Sequence, residues 1–191
     1  TEMSYQGFEP NIPAITRQRY PKSGGVNPTV SLGVLELASG KTTWVDLSKH
    51  EHEYIVRVNW LNDSRRLAVQ TMDRSQTRLD LFFVDREEGQ PTHILTERDK
   101  GWVNIHDDLY FLKKSGRFLW ASERSGYMHL YLYDLNGKLL GPVTSGDWAI
   151  RSAAGAGSWL RQAVHSIDEE GGWVYFTSIR KSSIETHLYR V

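Results

Sequence analysis

A chain of 191 residues with 39% hydrophobic and 24% charged side chains has the composition of a globular protein with one sizeable core, not of a disordered segment. Lys plus Arg and Asp plus Glu total 23 each, so no net field draws the molecule to nucleic acid or to an anionic membrane surface. No apolar run approaches the roughly 20 residues that span a bilayer, and the lack of cysteine excludes disulfides, thiolate nucleophiles and thiolate metal sites. Residues 1–20 carry no basic segment followed by an apolar run, so no secretory signal is expected there.

Helical periodicity is nearly absent, and the excess of rings (seven Trp, nine Tyr and six Phe) falls in short alternating runs that read as strands. In chain order the predicted strands are 29–37, 42–46, 55–61, 66–72, 79–85, 92–96, 108–112, 117–123, 129–134, 138–144, 160–167, 173–178 and 186–191. Clusters of Gly, Asn, Asp and Ser separate almost all of them. The class is therefore all-β.

A repeat organises these strands. Glu36, Asp85 and Asp134 each end an apolar run and are each followed by a glycine-bearing turn, at Gly40, Gly89 and Gly137. A second register agrees: the run from Trp60 to Val69 matches that from Phe111 to Trp120, and Ile167 to Phe176 repeats it more loosely. Four antiparallel strands recurring every 40–50 residues or so are what a β-propeller blade requires. The predicted fold is a β-propeller segment of four-stranded antiparallel blades, about two complete and two partial, within a single partial domain over 1–191. The blade pieces fall at 29–47, 54–97, 103–147 and 159–191. A Greek-key sandwich is the alternative. The five tryptophans Trp44, Trp60, Trp120, Trp148 and Trp173 are expected mostly in the core.

Catalytic chemistry is hard to place on this chain. The run Gly155-Ala156-Gly157-Ser158-Trp159 lacks the Gly-x-Ser-x-Gly spacing that exposes a nucleophilic serine and reads as a loop between blades. His50 and His52, with Glu51 and Glu53, could hold a metal if a third ligand converged, but a solvated loop is the simpler account, and no metal site or cofactor is expected. His106-Asp107-Asp108 clusters ionisable groups at a strand start, which suits either ligand binding or turn capping.

The run from Arg19-Tyr20-Pro21-Lys22 to Val30 resembles a signature of the propeller domain of the dipeptidyl peptidase IV family. It is followed in order by Trp102-Val103-Asn104, by Ser122-Glu123-Arg124-Ser125-Gly126-Tyr127-Met128-His129, and by Thr144-Ser145-Gly146-Asp147-Trp148, which resembles that family's start of a new blade. The resemblance implies an eight-bladed propeller capping a C-terminal α/β-hydrolase domain with a Ser-Asp-His triad, and removal of N-terminal dipeptides with proline or alanine second. It places the paired glutamates that hold the substrate's amino group upstream of Arg19, where Glu2 and Glu9 do not form that motif. It places the triad beyond Val191, so no catalytic residue is expected here and the chain alone should be inactive.

The same resemblance points to Ile105, His106 and Asp107 as substrate-binding candidates. Mammalian members carry an aromatic and an arginine at the positions of Ile105 and His106, while bacterial members have a similar Asn, aliphatic, His, Asp run. Implied partners are the peptide substrate and the hydrolase domain; separately, the incomplete blades leave 29–37 and 186–191 as unpaired edges, from which a homo-oligomer through cut blade edges is expected. A stand-alone propeller scaffold for protein partners is the alternative function. The compartment is left open between an exported or periplasmic parent and a cytoplasmic one.

Overall fold

A computed structural model describes residues 2–7, 15–152 and 162–191. It divides into two compact units, residues 1–30 and 31–191. In the first, β1 (Glu2–Gln6) and β2 (Ile15–Arg19) pair antiparallel, with Glu2 opposite Arg19 and Gln6 opposite Ile15. Neither strand was predicted, because EMSYQ and ITRQR hold too few apolar residues to show alternation. Among the described residues no helix is present, and none is therefore long and apolar enough to cross a membrane.

The second unit is a succession of antiparallel sheets. β3 (Gly33–Leu35) pairs β4 (Thr42–Trp44). β5 (Tyr54–Trp60), β6 (Arg66–Met72), β7 (Arg78–Asp85) and β8 (Pro91–Arg98) form one four-stranded sheet in sequence order. β9 (Leu109–Leu112), β10 (Arg117–Ser122), β11 (His129–Asp134) and β12 (Leu139–Pro142) form the next. β13 (Val164–Asp168), β14 (Trp173–Ser178) and β15 (His187–Arg190) form a three-stranded sheet. Repeated sheets of four meandering strands agree with a partial β-propeller. The strand predicted at 160–167 begins on residues outside those described, and Val164 is the first residue of β13.

Core formation follows the two-residue period of a strand. In β6, Leu67 and Val69 turn to one face and Ala68 and Met72 to the other, and all four are buried. Leu67 and Val69 join Phe82, Val84 and Leu47 in one cluster. Ala68, Met72, Leu79, Leu81 and Phe83 join Phe118, Trp120, Tyr131 and Tyr133 of the next sheet. The opposite face of that sheet, with Ala121 and Leu130, packs on Ile150, Ala163, Val164 and Phe176. Middle strands are therefore buried on both faces, so β7 reads as a nearly continuous apolar run interrupted by Asp80.

The 49-residue acidic repeat corresponds to the turn joining the third strand to the fourth in the two four-stranded sheets, and β3 to β4 in the two-stranded one. Gly40, Gly89 and Gly137 close these turns with φ of 71°, 69° and 85°, donating N–H to the carbonyls of Glu36, Asp85 and Asp134. Two of the three turns abut the last strand of the preceding sheet. A Cβ on Gly89 would lie 2.3 Å from the Trp44 carbonyl oxygen, and one on Gly137 would lie 2.2 Å from that of Ile94.

Only part of the tryptophan expectation holds. Trp120 is fully buried and Trp148 packs in the third cluster, but Trp44, Trp60 and Trp173 are 63%, 51% and 38% exposed. They sit at strand ends, where the described residues cover the ring only in part. Trp44 instead folds over Gly33, and Trp173 lies beneath the Arg190 guanidinium at 4.3 Å.

The glycine contacts can be measured by comparison with a glycine in open space. Gly116 has φ of 61° and no atom within 4 Å of its missing Cβ, so Gly116→Ala should cost about 1 kcal/mol in backbone strain alone. Gly89→Ala and Gly137→Ala add collision with a carbonyl oxygen and should cost about 3 kcal/mol or more. Urea midpoints for the three variants test this, and equal losses would remove the close approach as a determinant of sheet stacking.

Candidate functional site

The connection from β8 to β9, residues 99–108, crosses from the outer strand of one sheet to the first strand of the next. Asp99 opens it by accepting the Gly101 N–H at 2.7 Å. Backbone bonds from Asp99 N to the Thr77 carbonyl (3.0 Å) and from Val103 N to the Gln76 carbonyl (2.8 Å) tie it to the β6–β7 loop. Trp102 is 66% exposed, its indole N–H reaching Asn104 Oδ1, and Asn104 Nδ2 donates to Glu123 at 2.8 Å. This last bond joins the connection to the loop at residues 123–128, so two of the segments that resemble the dipeptidyl peptidase IV pattern meet in space.

Successive residues of the segment then diverge. Ile105 is half-buried against the core between the two four-stranded sheets. His106 is buried and sets its ring edge-on to Trp120, with centroids 4.6 Å apart. Its Nδ1 accepts the Asp108 N–H at 3.2 Å, so the proton of the neutral ring belongs on Nε2. Asp107 turns away and pairs with Arg57 Nε of β5 at 2.5 Å. Asp108 is buried and accepts the backbone N–H groups of Ala163 (2.9 Å) and Val164 (3.0 Å) and the Tyr110 hydroxyl (3.0 Å). The ionisable cluster thus does three separate jobs. His106 packs, Asp107 forms an ion pair with the preceding sheet, and Asp108 caps the start of the following one.

His106 also borders a groove of about 270 Å³, lined by Glu97, Asn104, Trp120, Arg124 and Met128 among others. Glu97 organises its wall, accepting from Trp120 Nε1 (3.0 Å), from Ser122 Oγ (2.8 Å) and from the Arg124 guanidinium. Arg124 lies over the Tyr131 ring at 4.5 Å. A carboxylate whose two oxygens both accept hydrogen bonds is tolerated with little exposure.

Electrostatics separates the candidates. Burial lowers the His106 pKa to about 4, outweighing the neighbouring Asp107 carboxylate and a backbone bond to Ala121, which favour the charged form. The ring is neutral near pH 7 and does not reproduce the charge of an arginine. Burial raises the Asp108 carboxyl, opposed by its bonds to Ala163 and Val164. The residue that sequence reasoning missed is Arg57, fifty positions before Asp107. Nothing in its local sequence, Val56-Arg57-Val58, distinguishes it from any solvent-facing arginine on a strand.

In the histidine-rich loop the two imidazoles make separate contacts. His50 packs its ring on Phe82 at 4.5 Å, while His52 Nδ1 lies 2.7 Å from the His50 carbonyl oxygen. Among the described residues no three His, Asp or Glu side chains converge on a cation position. Residues 155–159, including Ser158, lie outside the described residues.

The buried imidazole predicts a pH dependence. Its folded pKa lies below the unfolded value of 6.5, so the unfolded chain binds the extra proton and folding is penalised on acidification. The stability held above pH 6.5 should fall as pH drops towards 4, by on the order of 3 kcal/mol. His106→Gln should flatten that slope relative to wild type in urea titrations at pH 4.5 and 7.5. Parallel slopes would place the acid sensitivity elsewhere.

Comparison with known proteins identifies the family of the chain. The family described as the dipeptidyl peptidase IV (DPP IV) N-terminal region matches residues 1–191. A probable dipeptidyl peptidase 4 of Aspergillus flavus is 30% identical over 203 residues, covering 99% of this chain and 24% of that protein. Dipeptidyl peptidase 4 of Trichophyton rubrum is 28% identical over 194 residues, with 97% and 24% covered. The crystal structure of Porphyromonas gingivalis dipeptidyl peptidase 4 superposes with a TM-score of 0.80 at 27% identity, over 99% of this chain and 26% of that one. A putative dipeptidyl aminopeptidase IV from Bacteroides ovatus gives 0.82 at 20% identity over 100% and 28%, a likeness of fold alone. The chain spans about a quarter of the length of these relatives. It belongs to the dipeptidyl peptidase IV N-terminal region family.

Proposed function

We propose that residues 1–191 are a partial propeller domain, with blade pieces at 29–47, 54–97, 103–147 and 159–191, of a serine exopeptidase that releases N-terminal X-Pro or X-Ala dipeptides. Its role is to restrict access to a hydrolase domain and to position the substrate, while the catalytic serine, aspartate and histidine belong to that domain. The family match over the whole chain carries the proposal. A bacterial source is part of it and rests on the run Asn104-Ile105-His106-Asp107, since the curated relatives named above are fungal.

Ile105, His106 and Asp107 are proposed as the substrate-facing rim. Support comes from the meeting of the 99–108 and 123–128 segments beside a groove, and from a shape fixed by hydrogen bonds to three sheets, since pre-set orientation is what a positioning surface contributes to rate. In the full-length enzyme, His106→Ala should raise KM for tri- and tetrapeptides more than for a dipeptide amide. Equal kinetics on all substrates would reduce His106 to a packing residue.

A homo-oligomer of the 191-residue chain is also proposed. Among the described residues β3 pairs only with β4 and β15 only with β14, leaving strand edges that favour pairing with another chain. Leu35, Leu37 and Leu188 are exposed beside them. Sedimentation at micromolar concentration should show association that Val34→Lys or Leu188→Lys weakens; a folded wild-type monomer would overturn it.

A further inference from the structure

The geometry points to Arg57 as a residue that binds an acyl oxygen of the peptide substrate beyond its N-terminal dipeptide. This rests on the proposed substrate-facing role of residues 105–107. Arg57 lies in β5 where the register with β6 shifts between Ile55 and Arg57, and such a bulge re-aims the side chain that follows it. Across the ladder, Gln70 is buried with no partner for its Oε1 among the described residues. The guanidinium is nevertheless committed to Asp107 on the next sheet.

Two donors are fixed. Nε holds Asp107 and Nη1 donates to the Val56 carbonyl at 2.7 Å. A guanidinium has five N–H groups in a rigid fork, and the Nη2 end has no partner among the described residues. The side chain is 34% exposed while Asp107 is 15% exposed, so the head is anchored on its sheltered side and open on the other. An anchored, always-charged donor loses little freedom when it takes a further acceptor. His106, neutral and buried, cannot supply that charge. Arg57 therefore brings a fixed cation to the segment from outside it.

The ligand chemistry is an acyl oxygen, either a main-chain carbonyl or a C-terminal carboxylate. In the full-length enzyme, Arg57→Gln should raise KM for tripeptides by about tenfold, the loss expected for one hydrogen bond to a charged group, with kcat little changed and a smaller effect on a dipeptide amide. A loss confined to tripeptides with a free carboxylate identifies the carboxylate, and equal loss for their C-terminal amides identifies the carbonyl. Asp107→Asn separates contact from positioning. Direct contact predicts a smaller rise than in Arg57→Gln, because the guanidinium keeps its charge and its bond to the Val56 carbonyl but loses the ion pair that anchors it, whereas a role confined to the ion pair predicts the same rise in both variants. Arg57→Lys, which keeps the charge, should give an intermediate KM and serves if the glutamine variant melts early. A KM that rises equally in Asp107→Asn and Arg57→Gln, or stays flat in Arg57→Gln while His106→Ala shifts it, overturns the role of Arg57 alone. Flat KM in all of these variants removes the proposed rim as well.

Discussion

A sheet packed between two others must bury both of its faces, and most of this molecule follows from that requirement. Each middle strand supplies apolar side chains to two cores at once. Leu67 and Val69 serve one and Ala68 and Met72 the other, so a one-residue slip would exchange every contact across both interfaces. Stacking also limits how far apart the sheets can sit at their turns. Gly89 and Gly137 bring main chain against main chain, and at those points a side chain has no room. The first strands are likewise linked at both ends. Asn62 reaches the Phe111 carbonyl and Glu169 accepts from Lys113 and Lys114 at one end, while Arg57, Asp107 and Asp108 form the chain of contacts at the other.

The repeat was legible because its signals are local. An acidic residue, a short turn and a positive-φ glycine recur at 36–40, 85–89 and 134–137, and turn chemistry of this kind is set by a few adjacent residues. The β1–β2 hairpin was invisible for the converse reason, since its strands are polar and carry no alternation. Tryptophan position misled because burial depends on whether a neighbouring sheet reaches the ring. Trp120 lies in mid-strand between two sheets, whereas Trp44, Trp60 and Trp173 occupy strand ends.

For the candidate site, sequence located the segment but not its electrostatics. The resemblance drew attention to Ile105, His106 and Asp107, yet their alternation between a groove, a core and an ion pair depends on partners 50 or more residues away. A histidine's charge near neutral pH is decided by its surroundings, and the surroundings of His106 are the indole of Trp120 and the backbone of the next strand. Arg57 has no motif. Its significance comes from the register shift in β5 and from its pairing with Asp107, fifty residues away.

Buried and partly exposed groups divide the labour along this connection. The buried groups, His106 and Asp108, hold the connection against its own sheet and against the start of β13. The partly exposed pair, Arg57 with Asp107, spans two sheets at the edge of the same connection. A surface pair in high dielectric contributes little, but a guanidinium whose carboxylate partner is sheltered keeps its geometry and leaves part of its donor set to solvent. Such a group needs no rearrangement to accept a ligand oxygen. Under the proposed role of Arg57, the rigidity that the stacked sheets require for stability is also what would fix where a peptide finds its donor.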